Sequence, residues 1–500
     1  MEVVNNNMNA LTDHMTIAAP LKNQRVYLLG LDFGSTTSSA LVASAVLSTS
    51  HCTGRMEFCD IRIEYRATPV FTPFTEKSFG QSIDISRITE HIHHWLAASH
   101  LRVANIFTGG SIITGLAALA DNAQALTKVI SEIIGDSVIA TADDPSLESW
   151  MAFMGSASSL SRYHGNTPIL NIDIGGGTSN VALGIRGDVL TTGCYFIGAR
   201  HFQFVVGSYQ IQAISAYGAA ILQTLNISAN IGDKLNSEDC AAIMTFYVSA
   251  LEAICMGDGD FFNNPLAKKH CQIPFSASNN TKAKITFSGG VGEFLYQISA
   301  GENLPGTTYF GDFGIDLARA ISCSAILSAN LKTHIPENKG RATVCGLTLH
   351  STEISGHTIY LPKPTLLPLR DLPIIAKLAI NSPSADWQSA FNLAANRKLG
   401  ACIQILDLKT TAAPMTLANI KLLAQTIKQH YARSTYSDGQ TLLILLEANI
   451  GKVLGNYISD WGQAMPNLIV IDEIPIRHAH FVNVGRVHQQ LVPISFFGLH

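Results

Sequence analysis

The stretch Leu31-Asp32-Phe33-Gly34-Ser35-Thr36-Thr37 follows a short apolar run, Val26 to Gly30, and precedes a β-prone run from Ser39 to Leu47. Apolar strand, tight glycine turn and second strand read as a hairpin. The pattern returns roughly 140 residues further on, a spacing too long for a solenoid repeat. There Ile169 to Ile174 leads into Gly175-Gly176-Gly177-Thr178-Ser179, and Val181 to Ile185 follows. Each copy carries an aspartate at the strand end, then a residue, glycine and hydroxyl side chains. Two copies imply a duplicated domain in which each half contributes one hairpin.

The chemistry of the pattern is specific. Glycine leaves no side chain in the way and can take a positive φ. Successive backbone N–H groups around such a turn form a concavity that holds anionic oxygens. Hydroxyls of Ser35, Thr36, Thr37 and Thr178 add donors. Asp32 and Asp173 sit where a carboxylate can hold a hydrated Mg²⁺, a cation that keeps waters and takes one or two carboxylates. Gly34 and Gly175 to Gly177 facing one another would clamp a polyphosphate from both sides. Neither copy is a P-loop, because G-x-x-x-x-G-K-[ST] is absent. A third glycine element, Ser288-Gly289-Gly290-Val291-Gly292, ends the strand Lys284 to Ser288 and opens toward a helix. It permits close approach of a planar group or phosphate to the backbone.

Outward from these turns the chain reads as α/β. Helical stretches are expected at Ile88–Ala98, Ala117–Ile134, Tyr209–Thr224 and Glu238–Met256, with strands around Asn105–Phe107 and Val138–Ala140. Prolines 362, 364, 368 and 373 mark 356–400 as connecting chain. Beyond it, strands at Ile403–Leu406, Leu442–Leu446 and Leu468–Ile471 alternate with helices at Leu417–His430 and Gly451–Ile458, a small doubly wound unit. A β-rich tail, Ile474 to Phe497, ends it. The expected division is a disordered leader over 1–24, halves over 25–165 and 166–355, the connector 356–400, and an α/β domain over 401–500.

Composition agrees with a large folded chain. Of 500 residues, 47% are apolar and 14% charged, against a usual charged share of about 25%. That length suggests roughly three units and the composition excludes disorder. A net charge of −4 gives no basic excess for nucleic acid. No apolar run reaches the roughly 18 residues of a membrane span, and Met1 to Asn23 lacks the layout of a secretory signal. Nine cysteines without a C-x-x-C pair point to free thiols in a reducing cytoplasm. His91, His93 and His94 have no accompanying carboxylate or thiol and read as a solvated helix face.

The ordered trio of turns resembles the ATPase superfamily of actin, Hsp70 and the sugar kinases, as two phosphate loops and an adenosine loop. Within it, Leu170 to Asn180 and Ile285 to Glu293 are similar to the reactivating factors of ethanolamine ammonia-lyase, the EutA family. So are Ile112-Ile113-Thr114-Gly115, Pro145 to Ser149, Arg341-Ala342-Thr343-Val344, Leu367 to Arg370 and Val470 to Glu473. The resemblance implies an actin-like, ribonuclease H-like fold and a chaperone-like ATPase using ATP and Mg²⁺. Its implied partner is the adenosylcobalamin-dependent lyase, from which it releases damaged cobalamin, in the cytoplasm or a bacterial microcompartment. Two departures bear on hydrolysis. The charged stretch expected after Gly115 reads Leu116 to Asp121, and the Gly-Ala-Gly run expected after Val344 reads Cys345-Gly346-Leu347. A group must also orient the attacking water, and Asp144 and Glu148, opening a helix at Pro145, are the candidates. Two alternatives stay open: a small-molecule kinase on the same fold, and a nucleotide-binding interaction protein with little hydrolysis.

Overall fold

The structure is a computed structural model that describes residues 25–499, apart from 51–54, 76–81, 135–137, 143, 277–282, 356–357, 398–399, 407–415, 437–438 and 489–490. The expected leader, 1–24, lies outside the described residues.

The first half is built on β1 (Arg25–Phe33), β2 (Thr37–Thr49), β3 (Met56–Arg66), β4 (Val70–Phe71), α1 (Ile85–Ala98), β5 (Ile106–Ile113), α2 (Ala123–Ile134) and β6 (Val138–Ala142). Its sheet runs β3-β2-β1-β5-β6, with β4 beside β2. The β1–β2–β3 meander is antiparallel, while β5 and β6 continue parallel to β1. Strand β1 is covered on both faces, so its apolar residues divide between two cores. Leu29, Leu31 and Phe33 face α1 and α2 with Ile88, Ile92, Trp95 and Leu126, whereas Val26 and Leu28 pack on the other side with Ala43, Leu47 and Phe107. Burial on both faces is why the strand reads as a near-continuous apolar run.

A continuous helical segment joins the halves: α3 (Pro145–Ala152), a π-helical turn over Phe153–Ala157, and α4 (Ser158–Tyr163). The second half follows as β7 (Ile169–Ile174), β8 (Ser179–Ile185), β9 (Asp188–Tyr195), β10 (Phe202–Phe204), β11 (Ile211–Ile214), α5 (Ala216–Leu225), α6 (Ser237–Met256), α7 (Pro265–Lys268), β12 (Cys271–Ile273), β13 (Lys284–Ser288), α8 (Gly289–Ser299) and α9 (Gly314–Cys323). Its sheet order is β12-β9-β8-β7-β13. Strands β7 and β8 pair antiparallel, as do β8 and β9, and β13 lies parallel to β7. Third, second, first, then a parallel fourth strand is the order of the first half, so the repeat of two hairpins is a repeat of two sheets. The helix expected over Tyr209–Thr224 is instead strand β11 followed by α5. Ser215 caps that helix by accepting from Gly218 N–H, which fixes its start.

Helix α6 is long and apolar enough to cross a membrane by length and composition. Its Ile243, Phe246, Tyr247 and Leu251 are buried in the core of the second half.

Two boundaries differ from the expected ones. Helix α10 (Ala342–His350) packs on α3, β1, β2 and β5, so the chain returns to the first half before residue 355. The third unit contains β14 (Thr352–Ser355), β15 (Leu369–Leu378), α11 (Ser384–Ala395), β16 (Gly400–Ile405), α12 (Leu417–Arg433), β17 (Thr441–Leu446), α13 (Gly451–Ile458), β18 (Leu468–Ile471), β19 (Ala479–Val484) and β20 (Val492–Leu499). These strands form one sheet, β14-β20-β19-β15-β16-β17-β18. Strand β15 is central, antiparallel to β19 and parallel to β16. The segment 356–400 therefore carries a central strand and a helix of the third unit. Its prolines cluster before β15, and Pro373 within it faces β19. Phe497 of β20 joins Ile112, Leu147, Met151 and Leu347 in a small core that ties this unit to α3 and α10.

Candidate functional site

The two hairpins meet across a cleft between the halves. Each turn closes the same way: Gly34 N–H donates to Thr37 O and Gly175 N–H to Thr178 O, both at 2.9 Å. Neither Gly34 nor Gly175 to Gly177 has a positive φ, so these glycines serve by lacking a side chain. A Cβ on Gly176 would lie 1.8 Å from Thr36 Oγ1 of the opposite hairpin. The first turn is held from outside by Thr72 Oγ1, which donates to Gly34 O at 2.6 Å.

The cleft encloses about 100 Å³, lined by Asp32, Gly34 to Thr37, Asp173 and Gly175 to Thr178, with Glu148. Gly289 and Gly290 also line it. Gly289 has φ +79°, and a Cβ there would sit 2.5 Å from Ile174 O; this is the position where a positive φ and a close backbone approach both demand glycine. Val291 is buried in the core and Gly292 packs on Phe287, so these two support the turn from behind.

Three carboxylates converge here. Asp173 is buried; Ser288 Oγ donates to its Oδ2 at 2.6 Å, and Asn171 Nδ2 donates to Ser288 Oγ at 2.9 Å. Burial pushes Asp173 up to about 6 against the pull of Ser288. Asp32, partly open to the cleft, is pushed up to about 7 by desolvation and the nearby Asp173, with Thr114 opposing. Glu148 is held well above the carboxylate range by burial, then by Asp32 and Asp173, while Asn180 and the Gly115 backbone act the other way. Three mutually repelling carboxylates in one cleft form a site short of positive charge. Hard oxygen donors beside hydroxyls suit Mg²⁺ with part of its water shell. Among the described residues no group of three or more His, Cys, Asp or Glu is placed to hold a metal ion, so a cation here would rest on fewer protein ligands and on water.

Asp144 is placed differently. Its Oδ1 accepts from Leu147 N–H at 3.0 Å as the cap of α3, and its Oδ2 accepts from Gly498 N–H of β20 at 2.5 Å. It is outside the cleft lining, so of the two acidic candidates only Glu148 reaches the site. The lining also includes Ser39, Pro69, Thr114, Gly115, Gly340, Arg341, Ala342 and Thr343. The runs Ile112 to Gly115 and Arg341 to Val344 already stood out in the sequence, but without a chemical signature of their own. Gly346, within the run that departs from the expected Gly-Ala-Gly, is required by packing, because a Cβ would lie 2.0 Å from Met151 O of α3. His91 stacks on Trp95 at 5.8 Å, away from the cleft.

Two halves of equal strand order, each presenting a glycine hairpin and an aspartate to a shared cleft, define the actin-like ATPase fold class. The particular family is given by sequence. Residues 24–497 match the family described as Ethanolamine utilisation protein EutA, and the chain belongs to that family. It is 28% identical over 482 residues to a protein of Salmonella typhimurium named ethanolamine ammonia-lyase reactivase EutA, covering 93% of this chain and 96% of the relative. The Escherichia coli protein of the same name is 26% identical over 470 residues, with the same coverage. Among solved structures, the Ppx/GppA family member of Aquifex aeolicus is 12% identical with a TM-score of 0.32, covering 57% of this chain and 73% of its own.

Proposed function

We propose that this chain is an ATP-driven reactivating factor for ethanolamine ammonia-lyase, freeing the lyase of damaged cobalamin so that intact adenosylcobalamin can bind. The observation that carries the reading is the facing pair of hairpins with Asp32, Asp173 and Glu148 between them. Membership of the EutA family and the names of its relatives supply the partner. The cleft accommodates the phosphate end of a nucleotide, with Gly289, Gly290 and Gly340 to Thr343 on the nucleoside side. Backbone N–H groups and hydroxyls of both turns bind the phosphate oxygens. Asp32 and Asp173 would hold Mg²⁺, which when bound would offset the phosphate charge. Glu148, beside both aspartates, would accept a hydrogen bond from the attacking water and orient it.

Both halves contribute to one phosphate site, so closure moves one sheet against the other. ATP and ADP shift that equilibrium only as far as their affinities for the two arrangements differ. Helices α3 and α10 border the cleft and pack beside β20, giving a direct contact path to the third unit. The reading is tested with lyase inactivated by hydroxocobalamin or cyanocobalamin, this protein, Mg·ATP and fresh adenosylcobalamin. Return of deaminating activity with ATP, and none with ADP or with the Glu148→Gln variant, is the expected result. Release without nucleotide, or no release under any condition, would overturn it. Recovery in free solution would show that reactivation itself needs no microcompartment.

A further inference from the structure

Arg200 belongs to the second half and lies directly behind its phosphate turn. Its backbone N–H donates to Gly176 O at 2.6 Å, and Ala199 N–H donates to Gly175 O at 3.1 Å. A Cβ on Gly176 would sit 3.3 Å from Arg200 Cβ, so the arginine stem starts against a cleft-lining residue. The guanidinium then crosses to the other half, where its carbon rests 5.5 Å from the centre of the Phe71 ring. Phe71 is itself paired to Thr37 of the first phosphate hairpin, and the neighbouring Thr72 N–H donates to Thr36 O. Arg200 thus links the second turn to strand β4 beside the first, with its side chain outside the cleft lining in this arrangement.

Its hydrogen-bonding capacity is unspent. Nη1 lies 3.5 Å from Asp312 Oδ2, an ion pair without a hydrogen bond, and the buried Nε and Nη1 have no hydrogen-bond partner. Asp312 turns its other oxygen to Gly314 N–H at 2.9 Å. A buried guanidinium with idle N–H groups is costly unless another state of the protein uses them. The planar fork of arginine matches phosphate geometry in a way lysine does not. On the reading of the cleft as a nucleotide site, we infer that Arg200 is a phosphate-reading arginine: it rests on Phe71 in this arrangement and donates its free N–H groups to the terminal phosphate of a bound triphosphate. Exchange between Phe71 and phosphate makes the contact between the halves depend on whether that phosphate is present.

The test is calorimetric binding of ADP and of a non-hydrolysable ATP analogue, each with Mg²⁺, to the full chain and to Arg200→Lys. Lysine keeps the charge beside Asp312 and over Phe71 but loses the fork. The expected result is a preference for the triphosphate that falls by about 10- to 100-fold in Arg200→Lys, the effect of one charge-assisted contact, with ADP affinity within twofold. Phe71→Ala should strengthen triphosphate binding several-fold, because it removes the resting partner. Should Arg200→Lys lose its fold by circular dichroism, the double variant Arg200→Gln/Asp312→Asn carries the same comparison without a buried unpaired charge. Equal weakening of both nucleotides would make Arg200 a structural clasp, and an unchanged ratio would leave it with no role; either overturns the inference. A wild-type chain that binds neither nucleotide would overturn the cleft reading along with it.

Discussion

The two glycine hairpins share a backbone but not a surrounding. Their turns close through the same hydrogen bond at the same length, yet Asp173 is held by Ser288 at 2.6 Å whereas Asp32 meets Thr114 at 3.4 Å. Behind Asp173 the chain of donors continues, with Thr286 Oγ1 donating to Asn171 Oδ1 at 3.0 Å and Asn171 donating to Ser288. Strand β13 supplies both hydroxyls. Its counterpart in the first half, β5, offers Gly110, Ser111 and Ile112 at the matching depth, so an apolar Ile112 stands opposite Asp32 where Ser288 stands opposite Asp173. The second aspartate is therefore fixed before any ligand arrives, while the first is free to adjust and to take a proton. Duplication produced one cradle with a rigid wall and a responsive one.

The largest expected effect breaks the symmetry of the turns. Gly176→Val places a branched side chain within Thr36 and beside Arg200, and nucleotide binding by calorimetry should fall below detection. Gly34→Ala meets only Thr37 O at 3.1 Å and Thr114 Oγ1 at 3.5 Å, so its affinity should drop by no more than about tenfold, the effect of a displacement of a few tenths of an ångström. Equal loss in both would mean that the hairpins do not meet as described.

Charge gives the next effect. Asp32→Asn and Asp173→Asn should each lower hydrolysis by about 100-fold or more, as expected for a lost metal contact. Their pH behaviour separates them. A carboxylate with a raised pKa keeps its proton in the folded chain after the unfolded chain has lost it, which happens near pH 4. The folded state then binds more protons, so stability falls as pH rises, from about 4 through about 6 for Asp173 and about 7 for Asp32. Without Mg²⁺ the wild-type melting temperature should accordingly decline over that range, with Asp32→Asn flattening its upper part and Asp173→Asn its lower part. Mg·nucleotide should restore stability at pH 8 and do little at pH 5.5. A melting temperature that rises over this window in the wild type would contradict the crowding of carboxylates.

What was legible in the sequence follows from the same physics. Hairpin turns, aspartates and the β13–α8 glycines are local: each needs a residue type at a fixed offset, so Asp32, Asp173, Gly175 to Thr178 and Gly289 could be read from the chain alone. Glu148 was legible as a helix-opening acid, but so was Asp144, and only the fold shows that one faces the cleft while the other caps α3. Thr114 and Arg341 lie in runs that drew notice through resemblance, because their contribution depends on packing between distant segments. Arg200 gave no signal at all: its partners Phe71, Gly176 and Asp312 are scattered along the chain. The third unit was misdivided for a related reason. Prolines before β15 end a helix locally, but they say nothing of a strand whose neighbours lie at β16 and β19. Cutting the chain at residue 401 would divide that sheet, so removal of the third unit cannot serve as a clean test of its role.

The smallest effect bears most directly on the difference between the two walls. Ser288→Ala removes a donor from Asp173 and leaves a buried carboxylate with less support, whereas Thr114→Val removes a long contact from the more open Asp32. Losing a hydrogen bond to a charged group is worth about 1.5 to 3 kcal/mol, which translates to roughly one to two pH units on the group that loses it. The pH at which hydrolysis reaches half its plateau should therefore move upward in Ser288→Ala, toward the value of Asp32, while Thr114→Val moves it by much less. The direction is fixed by chemistry: a hydroxyl donor favours the ionised carboxylate, so its loss makes the proton harder to remove. A kcat profile recorded from pH 5.5 to 8.5 at saturating Mg·ATP reads both shifts. Equal shifts would show that the hydroxyl of β13 does not hold Asp173 in advance of the ligand, and the rigid wall would then have to be sought in the sheet itself.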